Sequence, residues 1–541
     1  MKKKEFLWWK HGIIYQIYPR SFCDSNGDGI GDIPGIISRL DYLQELGVDG
    51  IWLSPIYESP MHDFGYDISN YRAIDPVFGT RKDFITLVKE AHRRKIHVVM
   101  DLVLNHTSHL HPWFLESRSS RNNPKRDWYI WHDGKNGRRP NNWMAAFGGH
   151  AWEWDETTGQ YYLHLFLKEQ PDLNWRNPDM KKAMLGDIRY WLDLGVDGFR
   201  LDVINYIVKD RLFRNNPYWL HRTNPRRHDM QRHAYDRNQP ETHEILKEFR
   251  RLLNEYGKTM SVGEIYPNEG VMEPETSAAY LGSGEDELHL TFDFSPIYAR
   301  FRAGDFRDLL RRWYNAIPEN GWPCHVLSNH DQSRSMTRLA RGSKEKALVL
   351  AALHLTQRGT PFVYYGEEIG MRDGKISRRD LVDPVGRKYW PFHPGRDRGR
   401  TPMQWNRDTS GGFTSGKPWL PVNSDSEHIN VQAQQNDEGS LLNAYRRLIA
   451  LRRENEALYA GTWSDINGGR DILAYYRTGK SDRFFVALNF SKKERTLTVQ
   501  EPSSWETAFA THRRTGEMIS PSSYTMKPLE VLILKQLPDR H

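Results

Sequence analysis

Two passages of this chain are nearly the same. Leu46-Gly47-Val48-Asp49-Gly50 runs into Ile51-Trp52-Leu53, and Leu194-Gly195-Val196-Asp197-Gly198 runs into Phe199-Arg200-Leu201. Before the first copy, Ile36, Leu40 and Leu43 recur at helical spacing; Phe84, Leu87, Val88 and Ala91 do the same before the β-rich run 97–102. Helix, glycine turn and short apolar strand, repeated, is the pattern of βα units around a parallel sheet. Further strand candidates are 13–18, Met260–Gly263, 324–327, 361–365 and a weaker one near 288–292, which brings the total to eight. Eight such units predict an α/β fold of the (β/α)8 TIM-barrel type rather than an open sheet.

The spacing of the units locates an insertion. Strands near 51 and 97 are one unit apart, but the next clear strand comes only at 198, and the surplus is rich in Trp, Gly, Asn and Pro with no convincing helix. It predicts an irregular domain inserted after the third strand, at 105–175, between barrel segments 1–104 and 176–460. A helix pattern from Leu441 to about Leu458 is followed by strand-like runs at 472–477, 484–490, 496–499 and 531–534, so 461–541 is expected to be an antiparallel β domain. At roughly 150 residues per domain, 541 residues fit this division.

Composition narrows the function. With 38% hydrophobic and 12% aromatic residues the chain can build a sizeable core. It has no apolar run of ~18 residues, so no membrane partner is expected. The basic start Met1-Lys2-Lys3-Lys4-Glu5 leads into Phe6-Leu7-Trp8-Trp9-Lys10 without the apolar stretch of a secretory signal. Cys23 and Cys324 are too few for a disulfide framework, so a cytoplasmic protein is expected. The formal charge of +7 invites a nucleic-acid reading. The clusters Arg226-Arg227-His228 and Arg378-Arg379 are short, however, and carboxylates follow at once, which is not the concentrated basic stripe of a nucleic-acid binder. The 19 tryptophans suit sugar rings better, although most buried tryptophans only fill a core.

Chemistry in a barrel of this type belongs at the C-terminal strand ends. Those ends carry Asp101 to Asn105-His106, Arg200-Leu-Asp202-Val203, Glu264 and His330-Asp331. Arg200 and Asp202, two apart on a strand, share a side, so the guanidinium can pair with the carboxylate. Carboxylates from three strands around an aromatic-rich mouth suit glycosyl transfer, one at the anomeric carbon and one protonating the leaving oxygen. Singly, each acid could be an ordinary strand-end polar residue; together with both Asn/His and His/Asp pairs they form a catalytic set.

These segments resemble the signature regions of glycoside hydrolase family 13, the α-amylase family. Gln170-Pro171-Asp172-Leu173-Asn174-Trp175, Ile13-Ile14-Tyr15-Gln16-Ile17-Tyr18-Pro19-Arg20 and Arg400-Thr401-Pro402-Met403-Gln404-Trp405 resemble its oligo-1,6-glucosidase and α-glucosidase branch. The resemblance spans essentially the whole chain. It implies a retaining double displacement with Asp202 as nucleophile, Glu264 as acid/base and Asp331 as the third carboxylate. It places His106, Arg200 and His330 around the sugar, Asp63 and Tyr66 on the terminal glucose, and Arg400 at the closed end of an exo-acting pocket. Phe147, Phe166 and Gln170 match the pocket wall. Val203 faces the acceptor side, where a valine accompanies α-1,6 activity in this branch, although a β-branched residue is also routine in a strand.

The substrates implied are short α-glucosides, handled by a monomer or weak homodimer. The alternatives are an α-1,4-preferring α-glucosidase, a transglucosylase or sucrose isomerase on the same scaffold, and a non-catalytic sugar-binding relative. All three carboxylates are present, which disfavours the last. The stretch 205–244 departs from the simplest oligo-1,6-glucosidase pattern and is expected to rim the acceptor side.

Asp24-Ser-Asn26-Gly-Asp28-Gly-Ile30-Gly-Asp32 places oxygen donors at every second position, like the first half of a calcium loop without the distal glutamate. A polar turn is the plain alternative, and the resemblance implies a structural Ca2+ or Mg2+ there, away from the chemistry. The mouth lacks H-x-x-x-H spacing, so no catalytic metal or other catalytic cofactor is expected.

Overall fold

The computed structural model describes residues 6–219, 226–268, 273–499, 504–520 and 523–538. The basic start and residues 220–225 of the 205–244 stretch lie outside the described residues. Eight strands close into a barrel: β1 Ile14–Ile17, β2 Gly50–Leu53, β3 His97–Val103, β4 Gly198–Asp202, β5 Met260–Gly263, β6 Leu290–Asp293, β7 Cys324–Val326 and β8 Thr360–Tyr364. Neighbours run parallel in sequence order, and β8 closes on β1 with Phe362 opposite Ile14.

The repeated phrase explains itself in three dimensions. Gly47 and Gly195 leave their helices at φ of 90° and 93°, a conformation that a side chain resists. Asp49 and Asp197 each latch a neighbouring strand: their carboxylates accept the amides of Ile13 at 2.9 Å and Val98 at 2.7 Å. A Cβ on Gly198 would meet the Met260 carbonyl oxygen at 2.5 Å, so the second glycine lets adjacent strands approach. Strand alternation then sends Ile14, Trp52, Val99, Met260, Val262, Phe292, Val326 and Phe362 into a buried interior cluster. The same alternation turns Gly198, Arg200 and Asp202 of β4 inward.

Two sequence expectations are corrected by local chemistry. The strand expected near 288–292 starts at Leu290, because Leu288 gives its amide to the Tyr280 carbonyl. The insertion after β3 is less irregular than expected. It contains the helix Pro112–Ser119, whose first turn is capped by His111 accepting the Trp113 amide at 3.1 Å. It also holds a three-stranded antiparallel sheet of Trp131–His132, Trp152–Asp155 and Gln160–Leu163, with the last in the centre. The aromatic-rich helix buries only Phe114 and Ser117, which is too sparse a stripe to read from sequence.

The helix expected to reach Leu458 is Leu441–Glu454, broken at extended Asn455 before the short turn Glu456–Tyr459. Beyond it lie β9 Thr462–Ile466, β10 Ile472–Thr478, β11 Arg483–Asn489, β12 Arg495–Thr498, β13 Trp505–Ala510, β14 Met518–Ile519, β15 Ser523–Met526 and β16 Val531–Gln536. They form a sheet in the order β9-β10-β11-β16-β13-β14, with β12 and β15 paired apart. Alternation divides it: Leu473, Tyr475, Val486 and Ile533 join the barrel core, and Ile472, Ala474, Phe485 and Leu534 join a second cluster. Buried Arg452 secures this junction by donating to the carbonyls of Leu355, Gln357, Gly359 and Leu458.

Candidate active site

Arg200 sits at the centre of the barrel mouth with its charge enclosed by carboxylates. Its Nη1 donates to Asp202 Oδ1 at 2.8 Å and Asp101 Oδ1 at 2.7 Å, and its Nη2 contacts Glu264 Oε2. The guanidinium also lies over Trp52, 5.2 Å from the ring centroid, so it cannot turn away. Asp202 ends β4 and Glu264 directly follows β5, so the strand register alone brings both to this arginine. Tyr266 fixes the other oxygen of Glu264 by donating its hydroxyl to Oε1 at 2.9 Å.

Asp331, past the end of β7, belongs to a second charged group. Arg400 donates to Asp331 Oδ1 at 2.7 Å and Arg396 approaches the same oxygen at 3.3 Å. Arg396 Nη2 also holds Asp63 Oδ1 at 2.6 Å and Asp383 Oδ1 at 2.7 Å, with the Phe147 ring 4.9 Å from its guanidinium carbon. Gln170 donates to Asp63 from the opposite side at 3.3 Å. Phe166 completes this wall, 5.8 Å from Phe147 and 5.1 Å from His106 between ring centroids.

The histidines have defined roles in the network. Gln16 faces His330 Nδ1 with its amide nitrogen at 2.8 Å, so Nδ1 accepts and the ring proton sits on Nε2, 2.6 Å from the Tyr66 hydroxyl. Tyr66 passes its own proton to Asp101 Oδ2 at 3.1 Å. At His106, Asn105 Nδ2 lies 3.1 Å from Nδ1, and Nε2 faces both the Tyr66 carbonyl at 3.1 Å and the Gln170 amide nitrogen at 3.0 Å. Burial lowers His106 to about 3 and holds His330 well below its usual range, so both rings are neutral.

Electrostatics separate the carboxylates. Burial pushes Asp202 and Glu264 upward against the opposing charge of Arg200, and neighbouring carboxylates add to the rise. Burial likewise raises Asp101 to about 6. One guanidinium faces three carboxylates, so these acids take up protons more readily than free carboxylates do. Asp331 goes the other way: burial alone would raise it, but the guanidiniums of Arg396 and Arg400 hold it below the ordinary carboxylate range. An acid raised above its usual range therefore sits beside one held below it, the division that acid catalysis at a strand mouth uses.

The structure brings Asp202, Glu264, Asp331, Asp63, Tyr66, His106, Phe147, Phe166, Gln170, Arg200, His330 and Arg400 into this one network. Val203 differs from a routine strand residue. It lies just past β4 at φ 36°, ψ 44°, left-handed backbone that a β-branched side chain resists, and packs with Trp143, Trp152, Leu163, Leu165 and Tyr206. That turn aims its amide at Glu264 Oε2, 3.5 Å away.

Sequence reasoning named Asp101 at its strand end without giving it a role, and did not single out Arg396, Tyr266 or Gln16. It also missed buried Lys209, which bonds Asp172 Oδ2 and Asn105 Oδ1, each at 2.7 Å. The crowding of arginines from Arg396 to Arg400 was the available signal for Arg396.

The Asp24–Asp32 loop is a separate feature, tied to the 413–418 segment by Asp24 N–H on the Phe413 carbonyl and by the Thr414 hydroxyl on Asp24 Oδ2. Gly27 and Gly29, at φ of 82° and 92°, let it close. Asp24 accepts the amides of Asn26, Gly27 and Gly29, Asn26 Oδ1 that of Asp28, and Asp28 Oδ1 that of Ile30. Asp32 closes the ring by accepting from Ser25 and caps the next helix through Gly35. The side-chain oxygens of Asp24, Asn26, Asp28 and Asp32 with the Ile30 carbonyl make an all-oxygen donor set, and its chemistry fits a hard divalent cation.

A family model described as "Alpha amylase, catalytic domain" matches residues 16–461. A "Probable alpha-glucosidase" of Rhizobium meliloti (strain 1021) is 44% identical over 503 residues, covering 90% of each chain. An "Oligo-1,6-glucosidase" of Parageobacillus thermoglucosidasius is 44% identical over 525 residues, covering 90% of this chain and 91% of its own. Among solved structures, the alpha-glucosyl transfer enzyme XgtA superposes with a TM-score of 0.92 at 40% identity, covering 98% of this chain and 100% of its own.

Removing the Arg396 charge tests the pocket electrostatics. Burial raises Asp63 to about 6 even with Arg396 opposing it, so Arg396→Met lets that pKa climb further. The acidic limb of kcat/KM should move to higher pH. KM for a short α-glucoside should rise tenfold or more, the equivalent of a lost charged hydrogen bond of ~1.5–3 kcal/mol. A pH–rate profile of the folded variant with both quantities unmoved contradicts this.

Proposed function

The chain belongs to the α-amylase family of glycoside hydrolases, and from that membership we propose that it is a retaining, exo-acting α-glucosidase. It removes terminal non-reducing glucose from short α-linked oligosaccharides, with activity on α-1,6 bonds. The observation that carries this reading is that Asp202 and Glu264 are held by neighbouring nitrogens of one guanidinium. Carboxyls so held suit the separation of about 5–5.5 Å used by retaining enzymes rather than the roughly 6.5–9.5 Å of inverting ones.

In the first half of the reaction, Asp202 attacks the anomeric carbon as the bond to the leaving oxygen breaks, and Glu264 gives that oxygen its proton. The Arg200 guanidinium, 2.8 Å from Asp202, favours the ionised carboxylate that makes this attack. In the second half, Glu264, now a carboxylate, takes a proton from water as the water oxygen bonds the anomeric carbon and Asp202 leaves. Asp331, held ionised by its arginines, accepts from sugar hydroxyls and stabilises the cationic transition state. Neutral His106 and His330 offer fixed hydrogen bonds without adding charge, and Tyr66 offers a ring face. Arg396 spans Asp63, Asp331 and Asp383 with Phe147 against it, a charge-paired wall that suits a chain end better than a chain middle. If a second sugar replaces water the product is a transfer product, a reading favoured by the similarity to an alpha-glucosyl transfer enzyme. Val203 biases linkage on the acceptor side, where a methyl-scale change is worth only ~1–3 kcal/mol.

Asp24, Asn26, Asp28, the Ile30 carbonyl and Asp32 would hold a structural Ca2+ or Mg2+ in the Asp24–Asp32 loop. Once bound, such an ion would neutralise the carboxylates and fix the loop after β1. Cys23 and Cys324 are buried and unpaired, which suits a reducing cytoplasm.

Three measurements test these assignments. Asp202→Asn should lose ~10³-fold or more in turnover while remaining folded, since the amide keeps the shape and loses the nucleophile. Glu264→Gln should fall steeply on maltose and isomaltose but far less on aryl glucosides with activated leaving groups, which need little protonation. Substantial hydrolysis by the first variant, or equal losses on both substrate types by the second, removes the assigned role. For the ion, chelation should lower Tm with rates preserved until unfolding, and Asp24→Ala should do the same. Loss of activity without a thermal shift contradicts a structural ion.

A further inference from the structure

Beneath the barrel, on the face opposite the mouth, lies a group of side chains that the proposed reaction leaves unused. We propose that His92, His97 and Asp197 bind a divalent transition-metal ion, Zn2+ foremost, at the N-terminal ends of β3 and β4. His97 opens β3, Asp197 directly precedes β4, and His92 lies in the last turn of the helix Arg81–Arg93 that leads into β3. His92 Nε2, His97 Nδ1 and the Asp197 carboxylate all lie within 4.8 Å of one another.

The three groups are aimed at one another before any ion arrives. His92 Nε2 is 2.7 Å from Asp197 Oδ2, and His97 Nδ1 is 2.8 Å from Oδ1, so each imidazole approaches a different oxygen. The carboxylate cannot swing, because Oδ2 also accepts the Val98 amide at 2.7 Å. The His97 ring is stacked on Trp8 with centroids 4.3 Å apart and planes 14° apart, and Trp8 is pinned by its indole N–H on the Lys258 carbonyl at 2.9 Å. His92 is 40% exposed in its side chain, which leaves an entry path and room for a water as fourth ligand.

The chain contains its own control. Asp49 occupies the same place in the other copy of the repeated phrase and latches Ile13 in the same way, but its second oxygen faces Arg453 at 3.5 Å. The strand latch therefore needs one carboxylate and no imidazole. The two histidines at Asp197 add nitrogen donors that the latch does not require, separated by four residues in the chain.

Two imidazole nitrogens and a carboxylate oxygen, with an open fourth position, match zinc at nitrogen distances of about 2.0–2.1 Å. The same set disfavours Ca2+ and Mg2+, which take oxygen ligands, so this site and the Asp24–Asp32 loop select different ions. The bound ion ties one helix and two adjacent strands together on the face where barrel residues serve stability rather than chemistry. Each imidazole then coordinates through the nitrogen that now faces Asp197 and carries its proton on its other ring nitrogen, with a proton released to solvent only from a ring that was charged.

The test uses untagged full-length protein stripped with a chelator and titrated with Zn2+ against a chromophoric competitor. One saturable site per chain is expected, and Zn2+ should raise Tm by several degrees. His97→Gln and His92→Gln should each weaken binding tenfold or more and abolish the thermal gain, with α-glucoside turnover retained as proof of folding. Asp24→Ala should leave zinc affinity unchanged, and excess Ca2+ should not displace the ion. Absence of stoichiometric binding, or equal affinity in folded His97→Gln, overturns the proposal.

Discussion

The mouth of this barrel is organised around one buried cation. Arg200 is 1% exposed and faces Asp101, Asp202 and Glu264 at once. A charge so placed is costly unless it is paired, and carboxylates so placed are costly without it. Each group is therefore tolerable only because the others are there, and the barrel strands are the device that assembles them. Register does the work: Arg200 lies opposite Asp101 on β3, and Leu201 lies opposite Gly263 on β5, so Glu264 arrives one residue later at the level of Asp202. Shifting one strand by a single residue would turn its acid out of the mouth.

A second cationic group, Arg396 and Arg400, keeps Asp331 ionised and closes one end of the pocket. Two regimes of charge therefore coexist in the site. Around Arg200 acids outnumber cations and the acids are pushed up; around Asp331 the cations prevail and the acid is held low. A reaction that needs a proton donor, a nucleophile and a fixed negative charge within one sugar ring finds all three in this division of charge. The aromatic residues Tyr66, Phe147 and Phe166 shape the space between them without adding charge.

Much of this was legible in the sequence for identifiable reasons. The repeated Leu-Gly-Val-Asp-Gly phrase announces its strands because two glycines and an aspartate have separate backbone duties there. Asp202, Glu264 and Asp331 stand out because strand ends are short and their acids sit at fixed offsets. The helix Pro112–Ser119 was not legible, since a stripe of two buried residues leaves no period. Nor were β9 and β14, half-exposed strands at the two edges of the last sheet, whose residues carry little alternation. Arg396 and Lys209 were missed because their partners, Asp63 and Asp172, lie far away in the chain. The left-handed turn at Val203 could not be read from a valine, since a β-branched residue disfavours that conformation and nothing local signals it; in the structure the side chain is buried with Trp143 and Trp152.

The proposed reaction requires a covalent bond between Asp202 and the sugar. That bond can be trapped by incubating the enzyme with 5-fluoro-α-glucosyl fluoride, which forms the glycosyl-enzyme quickly and releases it slowly, and located by mass spectrometry of the labelled peptide. One hexose-derived adduct per chain is expected, located on Asp202 and lost as activity returns. An adduct on Asp331 or Glu264, or inactivation with no covalent label, would contradict it.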